Sequence, residues 1–285
     1  MKAGIIGGGM IGAGWARLLR AYGHEAHVYD ERPDRSDVDS IEAAVAGADV
    51  VFEAVAERLE VKRAVLATVE AAAPPHALIA SASSSLLPSV LQAGMARPER
   101  ALVIHPLHPV DLLPVIEVVP GAATGPETLE RARALVATLG KQPILLRREI
   151  PGYVVNRLAA ALWREAMNIV LEGVVDIRQL DLAASRGPCL GWAVQGPFLT
   201  YQLAAPGGLA PFMEHLGPAF ESIWESLASW TSLSPEALAH LAGGTDEAFA
   251  DRPREALEAE RDLGLKAVQI ALGPLRRGGH GPALR

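Results

Sequence analysis

In the first half of the chain, short apolar runs alternate with longer segments in which apolar residues recur at helical spacing. Such runs predict buried strands, and the segments between them predict amphipathic helices that cover the strands. The predicted strands cover residues 3–6, 26–29, 49–52, 78–80, 101–104, 115–119 and 144–146. The predicted helices cover residues 10–22, 40–46, 57–72 and 126–139. This alternation predicts an α/β domain with a doubly wound, mostly parallel sheet.

The pattern changes near Ile150-Pro151-Gly152, and the remaining chain contains no convincing strand. Helix-like segments cover residues 154–171, 176–186, 209–230, 235–241 and 253–272. We therefore predict two domains, an α/β domain over residues 1–149 and an all-α domain over residues 150–285. Residues 278–285 are expected to form a loose C-terminal tail.

The first predicted strand leads directly into Gly7-Gly8-Gly9-Met10-Ile11-Gly12, which opens the first predicted helix. A strand, a G-x-G-x-x-G turn and a helix in this order are typical of a dinucleotide-binding Rossmann unit. Gly7 permits the tight turn, Gly9 lets the backbone approach a pyrophosphate, and Gly12 allows close packing of helix and strand. The free N–H groups of Met10 and Ile11 would face the phosphates. The alternative is a glycine-rich turn that binds no nucleotide.

Asp30 ends the second predicted strand. Its carboxylate can accept both ribose hydroxyls of NAD and would repel the 2′-phosphate of NADP. Arg32 weakens this preference slightly, because a guanidinium beside the ribose can accommodate that phosphate. The sequence therefore predicts NAD as the cofactor.

Composition bears on the partners of the protein. A formal net charge of −7 and the lack of a long basic cluster argue against nucleic acid. No apolar run is long enough to span a membrane, and the N-terminus does not have the pattern of a signal peptide. The single cysteine, Cys189, excludes an internal disulfide and has no neighbouring metal ligands. We therefore expect a cytoplasmic protein that binds no metal, nucleic acid or membrane.

One imidazole and one carboxylate stand at the facing ends of two predicted strands. His105 follows residues 101–104, and Glu117 lies within residues 115–119, after a connection rich in proline. If both runs are strands, the chain reverses and the two side chains can meet. A histidine oriented by a carboxylate is a common general acid/base unit. His and Glu at this spacing also occur without touching, so the spacing alone leaves a catalytic role open.

Four further stretches of the sequence carry motifs in addition to the glycine motif. They are Glu53-Ala-Val-Ala-Glu57 with Lys62, Ser83-Ser84-Ser85-Leu86, residues 105–121 and residues 151–158. Together these stretches resemble the 3-hydroxyacyl-CoA dehydrogenase family over nearly the whole chain. His105-Pro106, where acyl-CoA enzymes typically have His-Phe, and residues 190–197 resemble its branch of L-gulonate 3-dehydrogenase (lambda-crystallin) and L-carnitine dehydrogenase. The resemblance implies an NAD-dependent dehydrogenase that acts on a CH–OH group.

The resemblance also implies four catalytic roles. His105 would take the proton from the substrate hydroxyl during oxidation, and Glu117 would hold and polarise His105. Ser84 would hydrogen-bond the substrate oxygen near the nicotinamide ribose. Asn156 would bind the reacting oxygen at the cleft between the domains.

Three more residues are implied to lie at the cofactor. Glu57 and Lys62 would face it, and His108, where the family commonly has Asn, would lie beside it. Several residues of these motifs also have simpler structural explanations. Glu57 could be an acid favoured by a helix dipole, Ser85 is expected to be a helix N-cap, and Asn156 could also be one.

Two departures from the family bear on the substrate. The stretch between Asp30 and Asp49 is much shorter than in the family, which usually inserts a helical hairpin there. In acyl-CoA enzymes that hairpin helps to hold CoA, so its absence argues against a CoA thioester. Ala82 replaces the usual Asn before the serine motif, which removes one polar contact.

The expected substrate is therefore a small 3-hydroxy carboxylate such as L-gulonate or carnitine. Candidate ligands for its carboxylate are Arg157, Arg164 and Arg186. The alternatives are a 3-hydroxyacyl-CoA dehydrogenase and a non-catalytic NAD-binding or structural protein. The apolar faces of the helical domain carry Trp163, Trp192, Trp224 and Trp230. These faces, together with the resemblance, predict a homodimer formed through this domain.

Overall fold

The computed structural model describes residues 1–275. The chain forms two compact units, Met1–Leu158 and Ala159–Arg285, so the second unit begins somewhat later than the predicted boundary at 149/150. The predicted tail at residues 278–285 lies outside the described residues. None of the described helices is both long enough and apolar enough to cross a membrane.

One sheet of seven strands forms the centre of the first unit. The strands are β1 Lys2–Ile6, β2 Glu25–Tyr29, β3 Val50–Glu53, β4 Leu78–Ser81, β5 Ala101–Pro106, β6 Val115–Val119 and β7 Gln142–Leu145. Their order in the sheet is β2-β1-β3-β4-β5-β6-β7. All neighbouring strands are parallel except β5 and β6, which are antiparallel. The predicted doubly wound, mostly parallel sheet is therefore confirmed.

Helices pack on both faces of this sheet. They are α1 Met10–Ala21, α2 Ile41–Val45, α3 Leu59–Ala72, α4 Pro88–Gln92 and α5 Pro126–Thr138. Trp15 of α1 stacks on Phe52 of β3, with ring centroids 4.2 Å apart, in the core that also contains residues of α5. The neighbouring Val51 belongs to the core on the other face, with residues of α2, α3 and α4. Successive residues of a strand point to opposite faces, so a strand covered on both faces is apolar throughout.

The described part of the second unit is helical. Helix α6 Val155–Leu171 begins in the first unit and continues into the second. It is followed by α7 Ile177–Arg186, α8 Pro188–Gln202, α9 Leu209–Ser226, α10 Pro235–Phe249 and α11 Arg254–Leu275. The sequence did not predict α8, because Gly196, with φ of 76°, and Pro197 break its helical pattern. The predicted all-α domain is confirmed, although α9 ends earlier and α10 extends further than expected.

Candidate active site

Three glycines shape the turn between β1 and α1. Gly7 has a φ of +104°, and a β-carbon there would lie 2.5 Å from the carbonyl oxygen of Ala54. A β-carbon on Gly12 would overlap the carbonyl oxygen of Gly7, so the helix packs this closely only without a side chain. A β-carbon on Gly9 would meet no atom within 4 Å. The turn is therefore open at Gly9, where the motif predicts a pyrophosphate.

The N-terminus of α1 is open to an anion. Gly9 is the N-cap residue, and within residues 1–275 no side chain caps the helix there. The first amides of a helix, here those of Met10 and Ile11, have no acceptor within the helix. Free amides and the positive end of the helix dipole fit the phosphates of a dinucleotide.

Asp30 follows β2 and lies beside the same turn. Its Oδ2 accepts a hydrogen bond from the N–H of Gly8 at 2.6 Å, and its Oδ1 accepts one from the N–H of Arg32 at 2.9 Å. The guanidinium of Arg32 pairs with Asp34 at 3.1 Å. A β-carbon on Gly8 would collide with the carbonyl oxygen of Arg35. The short segment after β2 therefore packs directly on the glycine turn.

His105 and Glu117 face each other across the antiparallel strands β5 and β6. The Nδ1 of His105 lies 2.8 Å from the Oε2 of Glu117. His105 is 4% exposed and Glu117 is 0% exposed. Directly opposite residues of neighbouring strands have their side chains on the same face of the sheet, so the strand register produces this contact.

The second carboxylate oxygen of Glu117 is bound by the start of α6. Its Oε1 accepts hydrogen bonds from the N–H groups of Val154 at 2.8 Å and Val155 at 3.1 Å. Burial by itself would raise the pKa of Glu117, but the hydrogen bonds from His105 and from the two amides outweigh burial and lower this pKa. Glu117 is therefore ionised at neutral pH and accepts the Nδ1–H of His105. This contact occupies only Nδ1 of His105 and does not involve its Nε2.

Glu57 binds the serine segment, which we define as Ser83-Ser84-Ser85-Leu86. Its Oε1 accepts hydrogen bonds from the Ser83 hydroxyl at 2.6 Å, the Ser84 N–H at 3.0 Å, and the Ser85 N–H and hydroxyl at 2.9 Å. Burial opposes ionisation of Glu57, but these hydrogen bonds and Lys62 lower its pKa to about 2. Glu57 is thus an ionised anchor for the serine segment.

The expected N-cap role of Ser85 is wrong. Helix α4 begins only at Pro88, and Leu87 occupies its N-cap position. The hydroxyl of Ser85 is instead directed to Glu57, because the serine segment folds around that carboxylate. Glu57 is also not an acid in the first turn of a helix, because α3 begins at Leu59 and Glu57 lies before it.

Lys62 connects Glu57 to a second carboxylate. Its Nζ lies 2.8 Å from Oε1 of Glu53 and 3.2 Å from Oε2 of Glu57. The Oε2 of Glu53 accepts a hydrogen bond from the Ser81 hydroxyl at 2.5 Å. The sequence interpretation gave Glu53 no role, although an acidic residue at the end of the buried strand β3 was a usable signal. Lys62 is 1% exposed, and its ammonium group contacts the carboxylates of Glu53 and Glu57.

Asn156 and Ser84 lie together. The Nδ2 of Asn156, in the first turn of α6, donates to the carbonyl oxygen of Ser84 at 3.4 Å. Within residues 1–275, no group hydrogen-bonds the Ser84 hydroxyl. This hydroxyl is therefore available to a substrate oxygen.

The remaining predicted residues are His108 and three arginines. His108 is exposed on the connection between β5 and β6 and makes no hydrogen bond with any described residue. Arg157 is exposed, and its Nη1 donates to the carbonyl oxygen of Pro151 at 3.3 Å. Arg164 and Arg186 belong to the second unit. In the part of the chain that the structure describes, no group of three or more His, Cys, Asp or Glu residues could hold a metal ion.

Comparison with known proteins identifies the family. Residues 35–150 match the model for the NAD binding domain of 3-hydroxyacyl-CoA dehydrogenase, and residues 152–235 match that for its C-terminal domain. The chain is 36% identical to an L-carnitine dehydrogenase of Streptomyces coelicolor, over 96% of this chain and 95% of that protein. The chain belongs to the 3-hydroxyacyl-CoA dehydrogenase family. An L-carnitine dehydrogenase of Pseudomonas putida is also 36% identical, over 94% of this chain and 92% of its own length.

Solved structures agree with this assignment. A 5-formyl-3-hydroxy-2-methylpyridine 4-carboxylic acid 5-dehydrogenase, described as an NAD⁺-dependent dismutase, matches with a TM-score of 0.81 and 27% identity over 95% of this chain and 98% of that one. The 3-hydroxybutyryl-CoA dehydrogenase of Escherichia coli K12 matches with a TM-score of 0.65 and 26% identity, over 86% of this chain and 57% of that one. This family member is an NAD-dependent dehydrogenase that acts on a CH–OH group, which confirms the sequence prediction.

Proposed function

We propose that this dehydrogenase oxidises the 3-hydroxy group of a small free hydroxy acid, such as L-carnitine or L-gulonate. The main observation in support of this reaction is the buried 2.8 Å hydrogen bond between His105 Nδ1 and Glu117 Oε2. A free acid is supported by the L-carnitine dehydrogenases, which align with the chain over nearly their whole length. The short segment between β2 and β3 also supports it, since acyl-CoA members carry there the hairpin that helps to hold CoA.

His105 is the general base of this reaction. Ionised Glu117 accepts the Nδ1–H, so the lone pair of His105 is on Nε2 and can remove the hydroxyl proton as the C–H bond breaks. The imidazolium that forms is stabilised by Glu117, because the attraction between opposite charges is stronger in a buried site than in water. The amides of Val154 and Val155 hold Glu117 in this alignment. In the reverse direction, the imidazolium returns the proton to the oxygen.

Ser84 and Asn156 supply polar groups for the reacting oxygen. The Asn156 amide lies 3.4 Å from the Ser84 carbonyl oxygen, so the two residues are neighbours. Negative charge grows on the substrate oxygen as its proton leaves. Donors that are already aligned stabilise this charge without the cost of reorganising. Glu57 supports the arrangement by holding the backbone of Ser84.

When bound, NAD would supply the acceptor for the hydride of the carbinol carbon. We assign its binding to Gly7, Gly9, Met10, Ile11, Gly12 and Asp30. The open space at Gly9 and the uncapped N-terminus of α1 fit its pyrophosphate. The carboxylate of Asp30 favours the ribose hydroxyls of NAD over the 2′-phosphate of NADP, because two negative charges repel each other. We also propose that Glu57, Lys62 and His108 face the cofactor.

A homodimer formed through the helical unit completes the proposal. This unit exposes large apolar side chains, with Trp163 61%, Phe198 80% and Trp224 54% exposed. Phe198 and Trp224 line an apolar groove of about 390 Å³. Contact with a second copy would remove this surface from water, which contributes roughly 25 cal/mol per Å². Light scattering on the purified protein tests this state, and a monomer at micromolar concentration would contradict it. We place the protein in the cytoplasm, with the single cysteine as support.

The experiment that tests the reaction is a panel of 3-hydroxy acids assayed with NAD and with NADP. We expect NAD to be reduced by at least one small 3-hydroxy acid. His105→Gln should abolish this activity and leave the Kd for NAD unchanged, because it removes only the base. His76→Gln is the matched control, since the side chain of His76 is 62% exposed and lies outside the site.

Each alternative gives a different result in this panel. Activity that survives His105→Gln would contradict the assigned base. Equal turnover of a 3-hydroxyacyl-CoA would contradict the small free acid. NAD binding without turnover of either substrate class would indicate a non-catalytic NAD-binding protein.

A further inference from the structure

The backbone before α6 has an unusual conformation at Tyr153. Ile150-Pro151-Gly152 forms a turn closed by a 3.0 Å hydrogen bond from the Tyr153 N–H to the Ile150 carbonyl oxygen. Gly152 has a φ of 73°, and Tyr153 follows with a φ of 51°. Among residues 1–275, Tyr153 is the one non-glycine residue with positive φ. The β-carbon of a bulky residue makes this region unfavourable, so surrounding contacts must hold Tyr153 in it.

This conformation has a direct consequence for Glu117. The two residues after Tyr153 are Val154 and Val155, and both of their N–H groups point at Oε1 of Glu117. Two successive amides can converge on one oxygen here because the left-handed residues before them turn the chain. The backbone of Tyr153 therefore sets the orientation of the carboxylate that holds His105.

The side chain of Tyr153 contacts the other two parts of the site. It is completely buried, and its hydroxyl donates to the Leu86 carbonyl oxygen at 2.8 Å, at the end of the serine segment. Its ring centroid lies 5.4 Å from that of His105, with the ring planes inclined at 59°. Burial raises the pKa of the Tyr153 hydroxyl, so the group stays protonated and remains a donor across the assay range.

We propose that Tyr153 is a positioning residue that holds His105, Glu117 and the serine segment at a set separation. This inference rests on the proposed function, since the separation matters for proton removal beside Ser84. A tyrosine that only filled the core would be replaceable by phenylalanine, which has the same ring. The hydroxyl distinguishes the two roles, because it makes the hydrogen bond between the turn before α6 and the serine segment.

Tyr153→Phe tests the role of the hydroxyl in the full-length enzyme. We expect kcat to fall about tenfold while KM changes less than about twofold, because alignment is lost but substrate contacts remain. The deuterium isotope effect on kcat, with substrate labelled at the carbinol carbon, should rise as hydride transfer becomes slower. Tyr22→Phe is the matched control, since Tyr22 is 45% exposed at the end of α1. Unchanged kcat and isotope effect in Tyr153→Phe would overturn the proposal.

A second readout does not depend on activity. In protein labelled at histidine, the imidazole signal of His105 can be identified by its loss in His105→Gln. We expect this signal to shift in Tyr153→Phe and not in Tyr22→Phe. In Tyr153→Leu, the signal should shift further, because the aromatic ring that lies 5.4 Å from the imidazole is removed.

The two readouts separate this proposal from the proposed function. If no hydroxy acid is oxidised, the proposed function fails and the His105 signal still decides the role of Tyr153. A His105 signal identical to wild type in Tyr153→Phe would overturn that role. If Tyr153→Leu does not fold, Tyr153→Phe decides alone.

Discussion

The ammonium group of Lys62 lies 2.8 Å from Oε1 of Glu53, and their side chains are only 2% and 0% exposed. Glu53 ends β3, and Lys62 lies on the helix that follows it. The same ammonium contacts Glu57, which binds the serine segment. A buried ion pair is therefore part of the support for Ser84.

Lys62→Met should lower the free energy of unfolding by about 3–5 kcal/mol, because it leaves Glu53 as a buried charge without its partner. Adding Glu53→Gln should recover part of this loss, since the buried charge is then removed. Urea unfolding at pH 7 measures both values. Lys266→Met, at an exposed lysine of α11, is the control and should change stability little. Equal losses at both lysines would contradict the buried pair.

Glu117→Gln should lower kcat by about 10²- to 10⁴-fold. The glutamine oxygen can still accept the amides of Val154 and Val155, but its NH₂ group donates to Nδ1 of His105. The proton of His105 then moves to Nε2, and the base is lost. Steady-state kinetics at neutral pH measure the effect. Glu130→Gln, on an exposed face of α5, serves as the control, and a kcat equally unaffected in both variants would refute the assignment.

Glu57→Gln should weaken the dependence of stability on acidic pH. The pKa of Glu57 is lowered from 4.5 to about 2 in the folded protein, so the unfolded chain binds its proton first as pH falls. Its stabilising contribution is complete above pH 4.5 and is lost as pH falls toward 2. Urea midpoints between pH 6 and pH 3 should therefore decline less steeply in Glu57→Gln than in wild type. Parallel declines would show that Glu57 is not an ionised anchor.

Alanine substitutions at Gly12 and Gly9 should affect different properties, stability in the first case and NAD affinity in the second. Gly12→Ala should destabilise the first unit, since its β-carbon would overlap the Gly7 carbonyl oxygen. The β-carbon of Gly9→Ala would have no atom of the described residues within 4 Å, so we expect thermal stability to be retained. NAD affinity should nevertheless fall in Gly9→Ala, because the new methyl group occupies the space assigned to the pyrophosphate. Thermal unfolding and calorimetric titration with NAD measure the pair, and unweakened NAD binding in Gly9→Ala would contradict the assignment.

Most of the first unit could be predicted because its pattern is local. Val50, Val51 and Phe52 of β3 are all apolar because both faces of the strand are covered, and the glycines mark the turn that follows β1. Helix α8 escaped prediction for an equally local reason. Gly196 and Pro197 interrupt its periodicity, and the chain kinks at Gly196, whose φ of 76° and ψ of 167° are not helical.

The candidate site was predictable only in part. Spacing placed His105 and Glu117 at facing strand ends, but the resemblance, and not the spacing, distinguished this pair from an accidental one. Glu53 was named in a motif with Lys62 but was given no role, because only the fold shows that the two side chains meet. Ser85 was misjudged because its hydroxyl is directed by Glu57, which lies far before it in the chain.

By itself, the sequence determined the order of strands and helices, the glycines of the turn and the chemical groups available for proton transfer. These depend on residue type and on periodicity within single elements. Only the tertiary structure decided which groups meet. The antiparallel register of β5 and β6 places His105 on Glu117, and the left-handed conformation of Tyr153 directs two amides to the same carboxylate. Such contacts join segments that are distant in the chain, so they arise from strand order and packing.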